Sequence, residues 1–378
     1  MAERMIIGMD AKRIVRNGTG LGNYGRTLVN DLSALDAFDI RLYTPDNGMT
    51  QLRSQIVGRP NVSFCYPQNV HTSIGKALWR QRGIVKQLVR DGVQVYHGLT
   101  GELPSGIRKA GIRTVVTIHD LIFMRHPEYY KRADVKIYTH KFKRTLQEAD
   151  RIVAISECTR RDICELGNIS EKKVEVIYQS CAPRFTEVPE AKKMWEVRDR
   201  YCLPDRYVLC VGSIEERKNV LLAIKALDYL PDDVSLVIVG RQTLYSDLVY
   251  KYVYEHRIHS RVQMLHGVPD DDLPSLYRMA DCFVYPSRYE GFGIPIIEAI
   301  RQGLPVVACT GSCLEEAGGP DSLYVDPDDP EAMANALSQM LFGAKGRQQR
   351  IERSQKYIER FENNDTARRF AELYQSMQ

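Results

Sequence analysis

Two carboxylates with seven residues between them, Glu290 and Glu298, bracket the segment Gly291-Phe-Gly-Ile-Pro-Ile-Ile297. The preceding run Asp281-Cys-Phe-Val-Tyr-Pro-Ser287 reads as a buried strand, and Pro295–Arg301 as a short helix. Glu290 then falls on the loop leaving the strand, beside a glycine-rich turn, and Glu298 about one helical turn past Pro295. Open α/β sheets bind ligands at the carboxyl ends of their parallel strands. Two acids there can each accept hydrogen bonds from hydroxyls, such as those of a sugar or a ribose. An arbitrary pair of acids at this spacing would be a loop acid and an exposed helix acid. The G-F-G-I-P between these two, and the strand in front, favour a site.

Three further segments carry chemistry. Val208-Leu-Cys-Val-Gly-Ser213 is a strand ending in small residues, and the loop Ile214–Asn219 after it holds Arg217 and Lys218. Fixed cations at a strand end neutralise charge developing on a departing diphosphate without reorganisation. Gly20-Leu-Gly-Asn-Tyr-Gly25 satisfies G-x-G-x-x-G, but Ala11–Asn17 separates it from the first strand, a longer connection than the nicotinamide fingerprint has. A loop of this kind at a helix start still offers backbone N–H groups to an anion. His119-Asp120 ends the apolar strand Thr114–His119, and His97 ends another, with a weaker claim to function. Asp326-Pro-Asp328 matches the D-x-D by which some transferases hold manganese, yet it leads directly into a proline-started helix. Turn and cap chemistry explains it, with Asp329 capping and Pro330 at the first position, and no metal requirement is expected.

The elements that must position these residues alternate between short apolar runs and helical patterns. Strands are expected at Met5–Asp10, Ile40–Thr44, Val62–Tyr66, Val93–Gly98, Thr114–His119, Ile152–Ser156 and Val174–Tyr178. A second set follows at Tyr207–Gly212, Ser235–Gly240, Val262–Gly267, Cys282–Pro286, Pro305–Cys309 and Leu323–Asp326. Being rich in Val and Ile and nearly continuous, they read as parallel strands covered on both faces. The fold class is α/β, with two Rossmann-like doubly wound domains facing a cleft. The boundary is expected near Cys181–Glu190, which has two prolines and no periodicity, giving domains 1–187 and 188–360. Lys76–Arg90 reads as an amphipathic helix resting on the sheet, with a peripheral contact to an anionic membrane as the alternative.

Composition bounds the function. The 378 residues suffice for two or three cores, and 44% apolar with 26% charged residues is ordinary for a soluble globular chain. Nine scattered cysteines with no C-x-x-C suggest free thiols in a reducing cytoplasm. The N-terminus runs straight into a strand, so no signal peptide is expected, and no apolar run is long enough to span a membrane. The net charge of +4 hides an asymmetry: residues 1–187 hold 29 Lys and Arg against 19 Asp and Glu, the remainder 23 against 29. A basic first half suits an anionic partner such as a phospholipid surface or a lipid-linked diphosphate. A nucleic-acid binder would explain that half and nothing else.

Taken together, Gly18-Thr-Gly-Leu-Gly-Asn-Tyr24, Thr117-Ile-His-Asp-Leu121, Ile155-Ser-Glu-Cys-Thr-Arg-Arg-Asp162, Val211-Gly-Ser-Ile-Glu-Glu-Arg-Lys-Asn219 and Glu290–Glu298 resemble the retaining GT-B glycosyltransferases of the nucleotide-sugar-dependent family four. The resemblance spans nearly the whole chain. It implies a C-terminal domain binding a GDP- or UDP-linked sugar, an N-terminal domain binding a glycan or lipid-linked acceptor, and a last helix from about Phe361 returning to the N-terminal domain. It implies no cofactor and no metal.

The resemblance also implies roles. Gly20 and Gly22 approach the diphosphate and the acceptor, and Arg217 and Lys218 hold the diphosphate. Ser213 stands where some members have arginine. His119 positions the donor sugar, Glu290 binds sugar hydroxyls and favours charge at the anomeric carbon, and Glu298 grips the ribose. The amides of Phe292, Gly293 and Ile294 assist at the diphosphate. The wording around Ile155 and Gly212 is most similar to mannosyl- and rhamnosyltransferases of bacterial surface polysaccharides, which places the protein in the cytoplasm or at the inner membrane face. A GT-B sugar-nucleotide epimerase and a nicotinamide oxidoreductase are the alternatives.

Overall fold

In the computed structural model, which describes residues 4–361 and 363–377, the chain divides into two compact units. The first runs to Gln179 and takes up the chain again from Phe361; the second is Ser180–Arg360.

The first unit is built on seven parallel strands: β1 (Met5–Asp10), β2 (Phe38–Tyr43), β3 (Val62–Cys65), β4 (Val95–Gly98), β5 (Arg113–Ile118), β6 (Arg151–Ala154) and β7 (Val174–Val176). Their order is β3-β2-β1-β4-β5-β6-β7. β1 pairs with β2 from Met5 opposite Phe38 to Asp10 opposite Tyr43, and on its other edge with β4 through Ile7 and Val95. The central strands are buried on both faces, which is why their sequences read as continuous Val, Ile and Leu rather than alternating. One face is packed by the helix Gly20–Ala34 through Leu28, Val29 and Leu32. Against the same cluster lie Phe370, Leu373 and Tyr374 of the last helix, Asn363–Gln375, which thus belongs to this unit.

The second unit repeats the design with β8 (Tyr207–Val211), β9 (Ser235–Val239), β10 (Val262–Leu265), β11 (Cys282–Tyr285), β12 (Val306–Cys309) and β13 (Leu323–Val325). The order is β10-β9-β8-β11-β12-β13, again with every recorded pairing parallel. Each unit therefore reverses its strand order once, between β1 and β4 and between β8 and β11. A crevice opens at such a reversal because the connections leave in opposite directions.

Two expectations are corrected. The division falls at Gln179/Ser180, ahead of the expected 187/188. Residues from Ser180 onward are already anchored in the second unit: the Phe185 ring meets Tyr277 edge-on at 5.6 Å, and Gln302 Nε2 donates to the carbonyls of Phe185 and Glu187. Lys76–Arg90 is not one α-helix but Ser73–Leu78, a π turn Trp79–Gly83 and Ile84–Arg90, with Trp79 buried at the break. Asp329 does cap the helix Pro330–Ser338, its Oδ1 accepting from the amide of Ala332, while Asp326 closes the turn before it.

Candidate active site

In the second unit, the carboxyl end of β8 leads through Gly212 and Ser213 into a 3-10 turn, Glu216–Lys218, which delivers Arg217 and Lys218. The neighbouring strand β11 ends at Tyr285 and leads to Glu290. The two loops are tied together, since the amide of Arg288 donates to the carbonyl of Arg217 at 2.9 Å. One oxygen of Glu290, Oε1, accepts from Lys218 Nζ at 2.6 Å and from Arg217 at 2.8 Å. Lys218 Nζ also donates to the hydroxyl of Tyr285 at 2.7 Å, and that hydroxyl lies 3.4 Å from the same carboxylate oxygen. Arg217 is held from behind by the carbonyl of Tyr289 at 2.5 Å. Ser213 lines the same crevice beside Lys218 and Tyr285.

The electrostatics of this group follow from its partners. Burial by itself would raise the Glu290 carboxyl, but Lys218 and Arg217 outweigh it and hold the group below the usual carboxylate range. Burial would lower the Lys218 ammonium, and Glu290 and Tyr285 reverse that, keeping it charged. Two cations converge on one carboxylate oxygen, and Glu215 lies 3.9 Å from Arg217 as a further acid. The side chains of Arg217, Lys218 and Glu290 are 14%, 16% and 11% exposed, desolvated enough to interact strongly yet open to a ligand.

The helix Ile294–Arg301 starts immediately beyond Glu290 with Pro295 in its first turn. Among the described residues no acceptor is recorded for the amides of Gly293 and Ile294, so both remain available to an anion. Phe292 is buried, and Gly293 is needed for packing: a Cβ there would stand 2.8 Å from that of Ala317. Glu298, on the same helix, accepts from the Tyr277 hydroxyl at 3.0 Å and has no cation within ion-pair distance among the described residues. Burial pushes its carboxyl up to about 7, with the Tyr277 hydroxyl acting against that rise.

The remaining expected residues lie in the first unit. His119 follows β5, with both ring nitrogens engaged. Nε2 is 2.8 Å from the carbonyl of Leu99, so it carries the proton, and Nδ1 accepts from Gln179 at 2.9 Å. Burial lowers this imidazole to about 4, and Tyr24 packs its ring edge against it at 4.7 Å. A neutral ring fixed at both nitrogens orients what surrounds it and has no free lone pair for general-base work. His97 is wholly buried, bonded to the Tyr374 hydroxyl at 2.6 Å and to Thr117 at 2.8 Å, and ties the last helix to the sheet. Gly20 opens the helix Gly20–Ala34 with open space where a Cβ would be. Gly22 is different: a Cβ would lie 1.8 Å from the carbonyl oxygen of Asn17, so packing alone requires glycine there. Between β1 and this helix comes another short helix, Lys12–Arg16, which leaves no room for the direct strand-to-glycine turn of a nicotinamide site.

The partners Tyr285, Tyr277 and Gln179 were missed in the sequence. Tyr285 and Tyr277 read as core aromatics, and only their hydroxyl partners distinguish them.

Two doubly wound units, with a cationic cluster and a helix start at the strand reversal of the second, define a GT-B fold. Solved structures agree: Alr3699/HepE of Anabaena, in complex with UDP and glucose, superposes with a TM-score of 0.77 over 99% of this chain and all of that one, at 18% identity. Residues 198–357 match Glycosyl transferases group 1 and residues 18–180 match Glycosyltransferase Family 4, and the chain belongs to this family of glycosyltransferases. Among its curated relatives are O-antigen chain mannosyltransferase B of Escherichia coli, 31% identical, and O-antigen chain mannosyltransferase RfbU of Salmonella typhimurium, 28% identical. The matches span 65% of this chain and of the first relative, and 59% of this chain and of the second. None of these relatives favours an epimerase or an oxidoreductase.

Proposed function

We propose that this protein transfers a hexose, mannose by preference, from a GDP- or UDP-linked donor to a hydroxyl of a glycan or lipid-linked acceptor in bacterial surface polysaccharide synthesis. The second unit takes the donor and the first the acceptor. The observation that carries the reading is the convergence of Arg217 and Lys218 on Glu290 beside the open amides of Gly293 and Ile294. The names of the relatives support the choice of mannose and of a surface polysaccharide.

In this reading the bond between the anomeric carbon and the donor phosphate breaks, and a bond from that carbon to the acceptor oxygen forms. Negative charge develops on the departing diphosphate, and in this reading Arg217, Lys218 and the two amides meet it. These groups supply the neutralisation, and no divalent ion is assigned a part. Glu290, ionised at working pH, accepts from sugar hydroxyls and favours positive charge at the anomeric carbon. Glu298 accepts from the ribose hydroxyls. The family's retention of configuration fits a front-face route in which the acceptor proton passes to the leaving phosphate oxygen. His119 contributes by holding its loop in place. Attachment to an anionic membrane surface belongs to the same proposal.

Thermal unfolding with GDP, UDP, ADP, dTDP and NAD at matched concentration tests the donor site. A ligand at a hundred times its Kd stabilises by about 2.7 kcal/mol. One nucleoside diphosphate standing clear of the others names the donor to assay; stabilisation by NAD alone would overturn the reading.

A further inference from the structure

The strand reversal of the first unit, between β1 and β4, opens into a cavity of about 460 Å³. Six cations line it: Lys12, Arg16, Lys76, Arg80, Lys141 and Arg144. Three carboxylates oppose them, and all three are engaged. Asp10, the last residue of β1, pairs with Arg80 at 2.6 Å; Glu102 pairs with Arg80 at 2.8 Å and Lys141 at 3.0 Å; Asp46 pairs with Arg16 at 2.6 Å and Lys76 at 2.9 Å.

Two cations are left over. Among the described residues neither Lys12 nor Arg144 has a carboxylate within ion-pair distance, and Nε of Arg144 is buried with no hydrogen-bond partner. A buried, unsatisfied donor on a charged side chain costs free energy unless a ligand answers it. Lys12 lines the same cavity as an exposed side chain whose backbone amide donates to the Asp10 carboxylate at 3.1 Å; partial burial and the charge of Arg80 lower its ammonium against the pull of Asp10 and Glu102. The π turn Trp79–Gly83 belongs to this wall. It bends the helix pattern so that Trp79 is buried while Arg80 reaches Asp10, and such turns recur at functional sites.

We propose that this cavity seats a sugar carrying a phosphate or diphosphate, with Lys12 and Arg144 as the groups that meet its charge. The volume lies within the range of roughly 300–1,000 Å³ typical of small-molecule sites and exceeds what a lone phosphate fills. That this ligand is the acceptor rests on the glycosyltransferase reading; that the cavity binds phosphorylated sugar does not. The paired cations are held rigid by their carboxylates, so they shape the wall, and the surplus pair supplies the charge complementarity. The same chemistry is offered by a water-soluble sugar phosphate and by the diphosphate end of a lipid-linked sugar.

The test is calorimetric titration of the full chain with mannose 1-phosphate, and separately with a polyprenyl diphosphate sugar in neutral detergent micelles. Saturating nucleoside diphosphate is present throughout, so that the second unit is occupied. Saturable binding is expected for one or both probes, and which one binds tells the soluble source from the lipid-linked one. Arg144→Gln and Lys12→Met, each checked for an unchanged melting temperature, should weaken it by about tenfold or more, as loss of a charged hydrogen bond does. The nucleotide-induced melting shift should stay as in the parent. Absence of binding by both probes, or binding indifferent to both substitutions, overturns the cavity assignment while leaving the donor site standing. Probe binding with no response to any nucleotide would instead overturn the glycosyltransferase reading and keep the cavity.

Discussion

Replacing Glu290 by Gln keeps the shape of the side chain and removes the one negative charge that Arg217 and Lys218 share. Those cations are 14% and 16% exposed and bond Oε1 at 2.8 and 2.6 Å, so the loss strips both of their shared close counter-charge, with Glu215 at 3.9 Å from Arg217 as a longer-range one. Breaking a buried pair typically costs 3–5 kcal/mol, and the residual exposure here argues for the low end, about 3 kcal/mol. For a unit of this size that corresponds to a fall of about 6–12 °C in melting temperature. A nucleoside diphosphate brings the missing negative charge to the same cations. It should therefore bind Glu290→Gln at least as tightly as the parent and, at a hundred times its Kd, return about 2.7 kcal/mol of the lost stability.

Turnover should behave in the opposite way. Glu290 is assigned to charge at the anomeric carbon, and removing one such electrostatic group costs about 10²–10³ in rate. Differential scanning fluorimetry with and without nucleotide, beside release of nucleoside diphosphate from the sugar nucleotide in the presence of acceptor, reads both effects. Near-normal turnover would refute the site assignment. Loss of nucleotide binding in step with turnover would refute the charge-sharing argument, because it would mean that Glu290 holds the cations in place rather than competing for them.

Lys218→Met should reduce turnover by about 10² or more and, unlike Glu290→Gln, weaken nucleotide binding as well; a binding isotherm separates the two. The Glu298 carboxyl, raised to about 7, favours the folded state fully below its unfolded value near 4.5 and loses that contribution as pH rises through 7. Because ribose hydroxyls are better accepted by the ionised form, nucleotide affinity should climb between pH 6 and 8, and Glu298→Gln should flatten whatever part of the climb the phosphates themselves do not cause; titrations at several pH values check this. Tyr374→Phe removes the hydroxyl bonded to His97 at 2.6 Å inside the core and should cost about 1–3 kcal/mol in urea unfolding. Gly22→Ala gains helix propensity worth about 1 kcal/mol but drives a methyl against the carbonyl of Asn17, so it should destabilise by about 1–3 kcal/mol net, read as a lower melting temperature.

Strand positions were legible in the chain because a parallel strand covered on both faces must be apolar at every position, a local property that no neighbour has to supply. All thirteen expected strands are present, with ends that differ by a residue or two. The placements of Glu290 on a strand-end loop and Glu298 on the following helix were legible for the same reason, as was the Asp329 cap. The convergence of Arg217, Lys218, Tyr285 and Glu290 was not, since it depends on β8 and β11 being neighbours in the sheet although two strands separate them in sequence. The same holds for Asp10 and Arg80, which meet at the end of β1 although seventy residues apart in sequence, with Arg80 inside a π turn. Local patterns of burial and capping were thus set by the sequence, whereas which charged side chains share a counter-ion, and which are left over for a ligand, was decided by strand order and packing. Those are properties of the folded chain as a whole.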